Sequence, residues 1–174
     1  MMGSGGMIIM DEDDCMVSIA KYYLGFSEGE SCGKCTPCRI GTRRISELLK
    51  LITDGRGTMA HIDEIKRIGQ VMKDAALCAL GQSAPNPVLS TMENFWDEYL
   101  AHVEDKRCPA GVCRKMTRYV INEKRCVGCS VCAKNCPAEA IEGELRSPFT
   151  IRQDKCIRCG TCIEKCNFGA ISIQ

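Results

Sequence analysis

The residues with the clearest chemistry in this sequence are its cysteines, which number 15 in 174. Most of them stand in Cys-x-x-Cys runs, where close neighbours are poorly placed to bridge one another. The odd count and the lack of a secretory signal at the N-terminus favour reduced thiols over disulfides. Thiolates that stay reduced and cluster together are ligands for soft metals. The sequence therefore predicts a metalloprotein, which we expect to be cytoplasmic.

The cysteines near the C-terminus form two copies of one pattern. The first copy reads C-x2-C-x2-C-x3-C-P, and residues 119–144 align without a gap with residues 149–174, so the unit is internally duplicated. In this spacing three cysteines reach one cubane and the fourth reaches the other. The expected ligands are Cys126, Cys129, Cys132 and Cys166 for one 4Fe–4S cluster, and Cys136, Cys156, Cys159 and Cys162 for the second.

Over residues 118–174 this half resembles the bacterial two-cluster ferredoxin domain. One departure is Asn167, which stands where the first copy has Pro137 and removes a turn constraint but no ligand. Two zinc sites or disulfides are the alternatives, but neither explains two three-cysteine runs that each have an offset fourth cysteine. Apolar flanks predict short strands around each cysteine loop, at 119–121, 149–151 and 170–173.

The N-terminal half carries a third run that is one ligand short. Cys32, Cys35 and Cys38 follow the same two-residue spacing, and Cys38 is expected in the first turn of a helix, where the dipole favours a thiolate. Cys78 is a candidate for the fourth ligand. A lone cysteine after a helix is more often a buried small hydrophobe, but the incomplete run favours the ligand interpretation.

The elements that position these cysteines are read from the apolar spacing. It predicts four amphipathic helices within residues 15–103, joined by short loops in a small bundle. We expect Asp11–Asp14, Thr36-Pro37 and Asn86-Pro87 to begin the first, second and fourth helices. Residues 1–14 read as the edge of a missing upstream domain, with a strand at 7–10. The expected inward residues are Met16, Ile19, Ala20, Tyr23, Leu24, Ile45, Leu48, Leu49, Ile52, Ile62, Ile65, Ile68, Met72, Ala75, Leu89, Met92, Phe95, Trp96, Tyr99 and Val103.

The fold class is thus α plus α+β, a four-helix bundle followed by a ferredoxin-like domain. Residues 30–39, Glu-Ser-Cys-Gly-Lys-Cys-Thr-Pro-Cys-Arg, together with Cys-Ala-Leu-Gly-Gln from Cys78, resemble a known family. It is the C-terminal iron–sulfur bundle of the flavin-bearing subunit of NADH:quinone oxidoreductase, and the resemblance covers residues 3–103. The family includes the beta subunits of NADH-linked, electron-bifurcating iron-only hydrogenases, to which the appended ferredoxin half points.

The resemblance implies a 4Fe–4S cluster on Cys32, Cys35, Cys38 and Cys78 that accepts electrons from flavin mononucleotide (FMN). It also implies an upstream domain of the same subunit that binds FMN and NADH. A hydrogenase catalytic subunit and a small 2Fe–2S subunit are the further partners it implies. The expected total is three 4Fe–4S clusters.

The cysteines left over from the three clusters are Cys15, Cys108 and Cys113. Together with His102 they form the donor set of a tetrahedral structural zinc site. Unligated buried cysteines with a solvated histidine, or a further iron–sulfur cluster, are the alternatives. A zinc ion would anchor the linker at 104–117 and make it a hinge for the ferredoxin half. His61 has no cysteine near it in sequence and is expected on a helix surface.

Several function classes are excluded. The net charge of +1, from 23 basic and 22 acidic residues, does not fit a nucleic-acid or membrane-surface binder. No apolar run is long enough to span a membrane, and no phosphate loop or catalytic triad appears. The sequence predicts an electron-transfer module that relays electrons between an upstream flavin site and partner subunits. The alternatives are the equivalent module of a formate dehydrogenase or NADP-reducing beta subunit, or a zinc-based interaction scaffold.

Overall fold

The computed structural model describes residues 8–173, which fold as two compact units. The first unit ends at Met116 and is helical, and the second begins at Thr117 and is built from short strands and helices. The helices of the first unit are α1 (Met16–Gly29), α2 (Thr36–Thr53), α3 (Met59–Ala75), α4 (Ala79–Ser83), α5 (Asn86–Asn94) and α6 (Trp96–Val103). The elements of the second unit are β1 (Tyr119–Ile121), α7 (Val131–Lys134), β2 (Ile141–Glu142), β3 (Thr150–Ile151), α8 (Thr161–Glu164) and β4 (Ile171–Ile173).

The core of the first unit is formed by the apolar faces of α1, α2, α3, α5 and α6. The four residues predicted for the inner face of α2 (Ile45, Leu48, Leu49 and Ile52) are all fully buried. They pack with Ala20 and Leu24 of α1, Ile62 and Ile65 of α3, Val88 of α5 and Tyr99 of α6. The sequence pattern fails at Ala75, which is exposed while its neighbour Ala76 is buried.

The predicted fourth helix is interrupted, and the simple four-helix count is therefore incomplete. Phe95 has φ −128° and ψ 43°, which separates α5 from α6, and its side chain is 44% exposed instead of inward. The short helix α4 is an additional element between α3 and α5. The apolar spacing continues across the break because Met92 and Tyr99 both reach the core, so the sequence pattern does not reveal it.

Helices α2 and α5 begin at Thr36 and Asn86, as the sequence predicts, whereas the start of α1 differs. Cys15, not the acidic stretch, is the N-cap of α1, and its sulfur accepts a hydrogen bond from the Ser18 N–H. Cys35 is the N-cap of α2, so Thr36 is the first helical residue. Ile8, Ile9 and Met10 form no strand, and the remainder of the predicted strand lies outside the described residues.

Residues 104–116, which follow α6, belong to the first unit and pack on its helices. Cys108, Cys113 and Met116 are buried in its core. The Lys115 ammonium lies 2.7 Å from the Asp54 carboxylate at the end of α2. The segment is therefore held against the helices by both apolar and charged contacts.

The second unit shows the duplication read from the sequence. β1 pairs antiparallel with β4, and β2 pairs antiparallel with β3. The three predicted strands are present at β1, β3 and β4, whereas β2 was not predicted. Ile141 of β2 lies opposite Ile151 of β3, as Ile121 of β1 lies opposite Ile171 of β4 in the other sheet. The four isoleucines thus hold equivalent positions in the two halves.

Candidate metal centres

Two cavities in the second unit are each lined by four cysteines. The cavity that we call the first cavity is bordered by Cys126, Cys129, Cys132 and Cys166. The second cavity is bordered by Cys136, Cys156, Cys159 and Cys162. Each takes three cysteines from one loop and the fourth from the other half of the duplication. The ligand sets predicted from the spacing are the sets that the fold brings together.

The loops that carry these cysteines supply hydrogen-bond donors to sulfur. The Ala140 N–H lies 3.4 Å from the Cys136 sulfur, and the Ala170 N–H lies 3.4 Å from the Cys166 sulfur. Burial raises the pKa of Cys132, and it raises the pKa of Cys162 to about 11. A bound cation would deprotonate such buried thiols outright, and four cysteines around one cavity are a donor set that suits an iron–sulfur cluster.

The third cysteine set lies where α2 and α4 begin. Cys35 is the N-cap of α2, Cys38 is buried in its first turn, and Cys78 is the N-cap of α4. The backbone N–H of Leu77 donates a hydrogen bond that lowers the pKa of the Cys35 thiol. Since Leu77 precedes Cys78 in the chain, this contact places the Cys78 loop beside Cys35.

A glycine permits the close approach of α4 to α2. A methyl group at Gly81 would lie 3.0 Å from the Cys38 Cβ and 2.7 Å from the Ala76 Cβ. Cys32 and Cys78 are exposed, whereas Cys38 is buried. This set therefore borders the surface of the first unit. The Ser31 hydroxyl lies 3.4 Å from the Cys38 sulfur and accepts a hydrogen bond from the Gly33 N–H, so its own proton is available to that sulfur.

A fourth set joins Cys15, His102, Cys108 and Cys113, all of them buried. Their candidate ligand atoms lie within 4.8 Å of one another, which occurs for no other group of three or more such side chains among residues 8–173. The Cys15 sulfur is 3.8 Å from the Cys113 sulfur and 3.3 Å from His102 Nε2, and Cys113 is 3.5 Å from Nε2. The Gly111 N–H donates to the Cys108 carbonyl, which closes the turn predicted between Cys108 and Cys113.

The surroundings of His102 fix its ring. The Nδ1 atom donates to the Glu98 carbonyl at 2.7 Å, so Nε2 faces the sulfurs. The Glu98 carboxylate accepts from the Met16 N–H, which ties the start of α1 to α6. Sequence reasoning did not identify Glu98. Its place four residues before His102 on a helix is the signal that marks it.

The side chains of this set share hydrogen bonds, so the protonation state of each depends on the others. Burial opposes a charge on His102, but hydrogen bonds with Cys108 and Cys15 raise its pKa to about 10. The hydrogen bond from Cys113 lowers the pKa of Cys108, and the same contact raises the pKa of Cys113. Three thiols this close cannot all ionise together unless a positive ion offsets their repulsion.

His61, the other histidine of the chain, has a structural role. The His61 Nδ1 atom accepts a hydrogen bond from the Thr58 N–H and caps the start of α3, as its predicted surface position allows. No described helix is both long enough and apolar enough to cross a membrane.

Comparisons with known proteins match two regions of the chain. Residues 18–102 match the family model of the NADH-ubiquinone oxidoreductase-F iron-sulfur binding region, and residues 118–167 match that of a 4Fe-4S dicluster domain. The NADP-reducing hydrogenase subunit HndC of Solidesulfovibrio fructosivorans is 55% identical over 147 residues, which are 84% of this chain and 30% of that protein. The NADP(+)-dependent formate dehydrogenase subunit beta of Moorella thermoacetica is 34% identical over 110 residues, which are 63% of this chain and 15% of that protein.

A solved structure also matches part of this chain. The crystal structure of an NAD+-reducing [NiFe]-hydrogenase in the H2-reduced state matches 55% of this chain and 17% of its own chain, with a TM-score of 0.53 and 32% identity. The chain thus spans less than a third of the length of these relatives. The resemblance read from the sequence is confirmed: the chain joins an iron–sulfur binding region of the NADH-ubiquinone oxidoreductase-F family to a 4Fe–4S dicluster domain, and it is an iron–sulfur electron-transfer module.

Proposed function

We propose that the chain holds three 4Fe–4S clusters and relays electrons between a flavin site and partner subunits. The observation that carries this proposal is the pair of four-cysteine cavities, each completed by a cysteine from the opposite half. The third cluster belongs to Cys32, Cys35, Cys38 and Cys78, which lie at the starts of α2 and α4. Bound cubanes supply one-electron couples, and burial and hydrogen bonds to sulfur set their potentials.

The test is anaerobic reconstitution followed by iron and sulfide analysis and electron paramagnetic resonance (EPR) after reduction with dithionite. About twelve irons and twelve acid-labile sulfides per chain are expected from three cubanes. A zinc-based interaction scaffold would give zinc without sulfide and no visible absorption. A chain that bound only zinc would overturn the proposal.

We propose further that Cys15, His102, Cys108 and Cys113 bind one structural zinc ion. A tetrahedral site with zinc–sulfur bonds of about 2.3 Å places sulfurs about 3.8 Å apart and sulfur and nitrogen about 3.6 Å apart. The observed separations of 3.8 Å between Cys15 and Cys113, and of 3.3 and 3.5 Å from these sulfurs to Nε2, fit that geometry. Cubane ligands stand farther apart, which favours a single ion over a further cluster.

The zinc ion has a structural purpose in this proposal. Zinc is redox-inert, so it holds geometry and carries no electrons. It fastens residues 108–113 to α1 and α6 and so anchors the segment that precedes the ferredoxin half. About one zinc per chain is expected from elemental analysis beside the iron.

The parent protein belongs, in this proposal, to an NADP- or NADH-linked hydrogenase complex in the cytoplasm. The identity of 55% with an NADP-reducing hydrogenase subunit over most of this chain supports it. An upstream domain with FMN and a nicotinamide site, a catalytic subunit and a small 2Fe–2S subunit are the proposed partners. Similarity to a formate dehydrogenase beta subunit favours that enzyme as the alternative parent. Purification of the native complex and assay of hydrogen-dependent against formate-dependent cofactor reduction, including a test for electron bifurcation, decides between them.

A further inference from the structure

The two cysteine cavities of the second unit provide an internal comparison, because their loops have the same conformation. α7 and α8 each span four residues, and the residues before them, Ser130 and Gly160, have φ values of 63° and 84°. Each cavity receives one backbone N–H at 3.4 Å from its fourth cysteine, from Ala170 in the first and Ala140 in the second. The two sites are thus matched in their backbone surroundings.

One difference between them is a hydroxyl group beside a cysteine sulfur. The Thr161 Oγ1 atom lies 3.4 Å from the Cys159 sulfur in the second cavity. The equivalent residue in the first half is Val131, thirty residues earlier at the start of α7. Its side chain has no hydrogen-bond donor. Ser130 also borders the first cavity, but the hydrogen bonds of residues 8–173 join its hydroxyl to no cysteine sulfur.

The direction of the Thr161 hydrogen bond follows from the ligand chemistry. A cysteine that binds iron has lost its proton, so the hydroxyl must donate and the sulfur must accept. A donated hydrogen bond offsets negative charge on the sulfur. It therefore stabilises the reduced cluster, which carries one more negative charge, over the oxidised cluster.

We propose that Thr161 is a positioning residue that raises the reduction potential of the cluster held by Cys136, Cys156, Cys159 and Cys162. The other ferredoxin cluster lacks this hydrogen bond, because Val131 has no hydroxyl group. The proposal rests on the cluster assignment made above. The step concerned is one-electron reduction by an external reductant, and no bond to the protein forms or breaks. Thr161 acts through Cys159 and touches no reacting substrate.

The experiment uses the full chain, reconstituted anaerobically and titrated with dithionite while EPR follows each cluster. Thr161→Val keeps the shape and every charged group but removes the hydroxyl. It should lower one midpoint potential and change the ratio of reduced to oxidised cluster at a fixed potential by up to about tenfold, equivalent to about 59 mV for one electron. Thr161→Ser should restore the original potential.

The reciprocal variant tests the same idea in the matched site. Val131→Thr should raise the reduction potential of the cluster in the first cavity and leave that of the cluster in the second cavity unchanged. This variant tests the proposal even if Thr161→Val assembles poorly. Full iron content with unchanged potentials in both Thr161→Val and Val131→Thr would overturn the tuning proposal alone. Loss of iron or sulfide from the unaltered chain would instead overturn the cluster assignment.

Discussion

At the scale of single residues, the two histidines of this chain show how similar side chains acquire different tasks. His102 is fully buried and holds Nε2 toward two sulfurs, because Nδ1 donates to the Glu98 carbonyl. His61 uses its Nδ1 to accept the Thr58 N–H at the start of α3. One ring thus lies in a buried group of candidate metal ligands, and the other caps a helix terminus.

Substitution of His102 should separate zinc from the iron–sulfur clusters. His102→Ala is expected to lose about one zinc per chain and keep all three clusters, and to lower the free energy of unfolding by at least about 2 kcal/mol through lost contacts to charged partners. His102→Cys should retain zinc, since four thiolates also form a tetrahedral site. Metal content by mass spectrometry and thermal melting check these outcomes. His61→Ala is the matched control, and zinc loss in that variant would contradict the assignment.

Zinc binding should also release protons near neutral pH. In the metal-free set the pKa of His102 is raised to about 10 and that of Cys113 is raised, so both hold protons at pH 7 that the metal must displace. The apparent zinc affinity should therefore rise as the pH increases from 6 to 9 and fall on acidification. Calorimetry in two buffers of different ionisation enthalpy measures the released protons. A pH-independent affinity would show that zinc binds elsewhere.

At the scale of elements, the bundle set depends on how closely α4 approaches α2. Gly81→Ala would bring a methyl group to 2.7 Å from the Ala76 Cβ and 3.0 Å from the Cys38 Cβ. The helix must then shift, so we expect loss of about four irons and a destabilisation of about 1–3 kcal/mol from overpacking. Iron analysis and denaturant unfolding measure both effects.

The control for this substitution lies in α1. A methyl group at Gly25 would meet no atom within 4 Å, so Gly25→Ala should keep all irons and stabilise the helix by about 0.4–1 kcal/mol. Full iron content in Gly81→Ala would show that the separation of α2 and α4 does not decide cluster binding.

The same elements show what the sequence could and could not predict. The inner face of α2 was predictable, because Ile45, Leu48, Leu49 and Ile52 follow helical spacing without interruption. The break at Phe95 was not, since Met92 and Tyr99 remain inward on either side and the periodicity survives. Cysteine spacing predicted which sulfurs share a cavity, because three of each set lie in one loop and the duplicated pattern assigns the offset fourth to the other half. The contact between Leu77 and Cys35 joins residues far apart in sequence and needed the folded chain.

At the scale of the whole molecule, two compact units divide the expected clusters between them. The first unit contains the set at the starts of α2 and α4, and the second contains two four-cysteine cavities. Each cavity draws a ligand from both halves of the duplication, so the ferredoxin unit cannot complete either site from one half alone. We expect its two clusters to assemble together and the bundle cluster to assemble independently.

This independence gives a test by iron counting. Cys78→Ser removes the only expected ligand of the bundle set that lies outside the Cys32–Cys38 loop, so iron should fall from about twelve to about eight per chain while both ferredoxin clusters keep their EPR signals. Leu77→Ser is the matched control: that side chain is 81% exposed, and its backbone N–H to Cys35 survives the change, so twelve irons should remain. An unaltered chain that saturates near eight irons, with no further loss in Cys78→Ser, would remove Cys78 and its loop from the electron path.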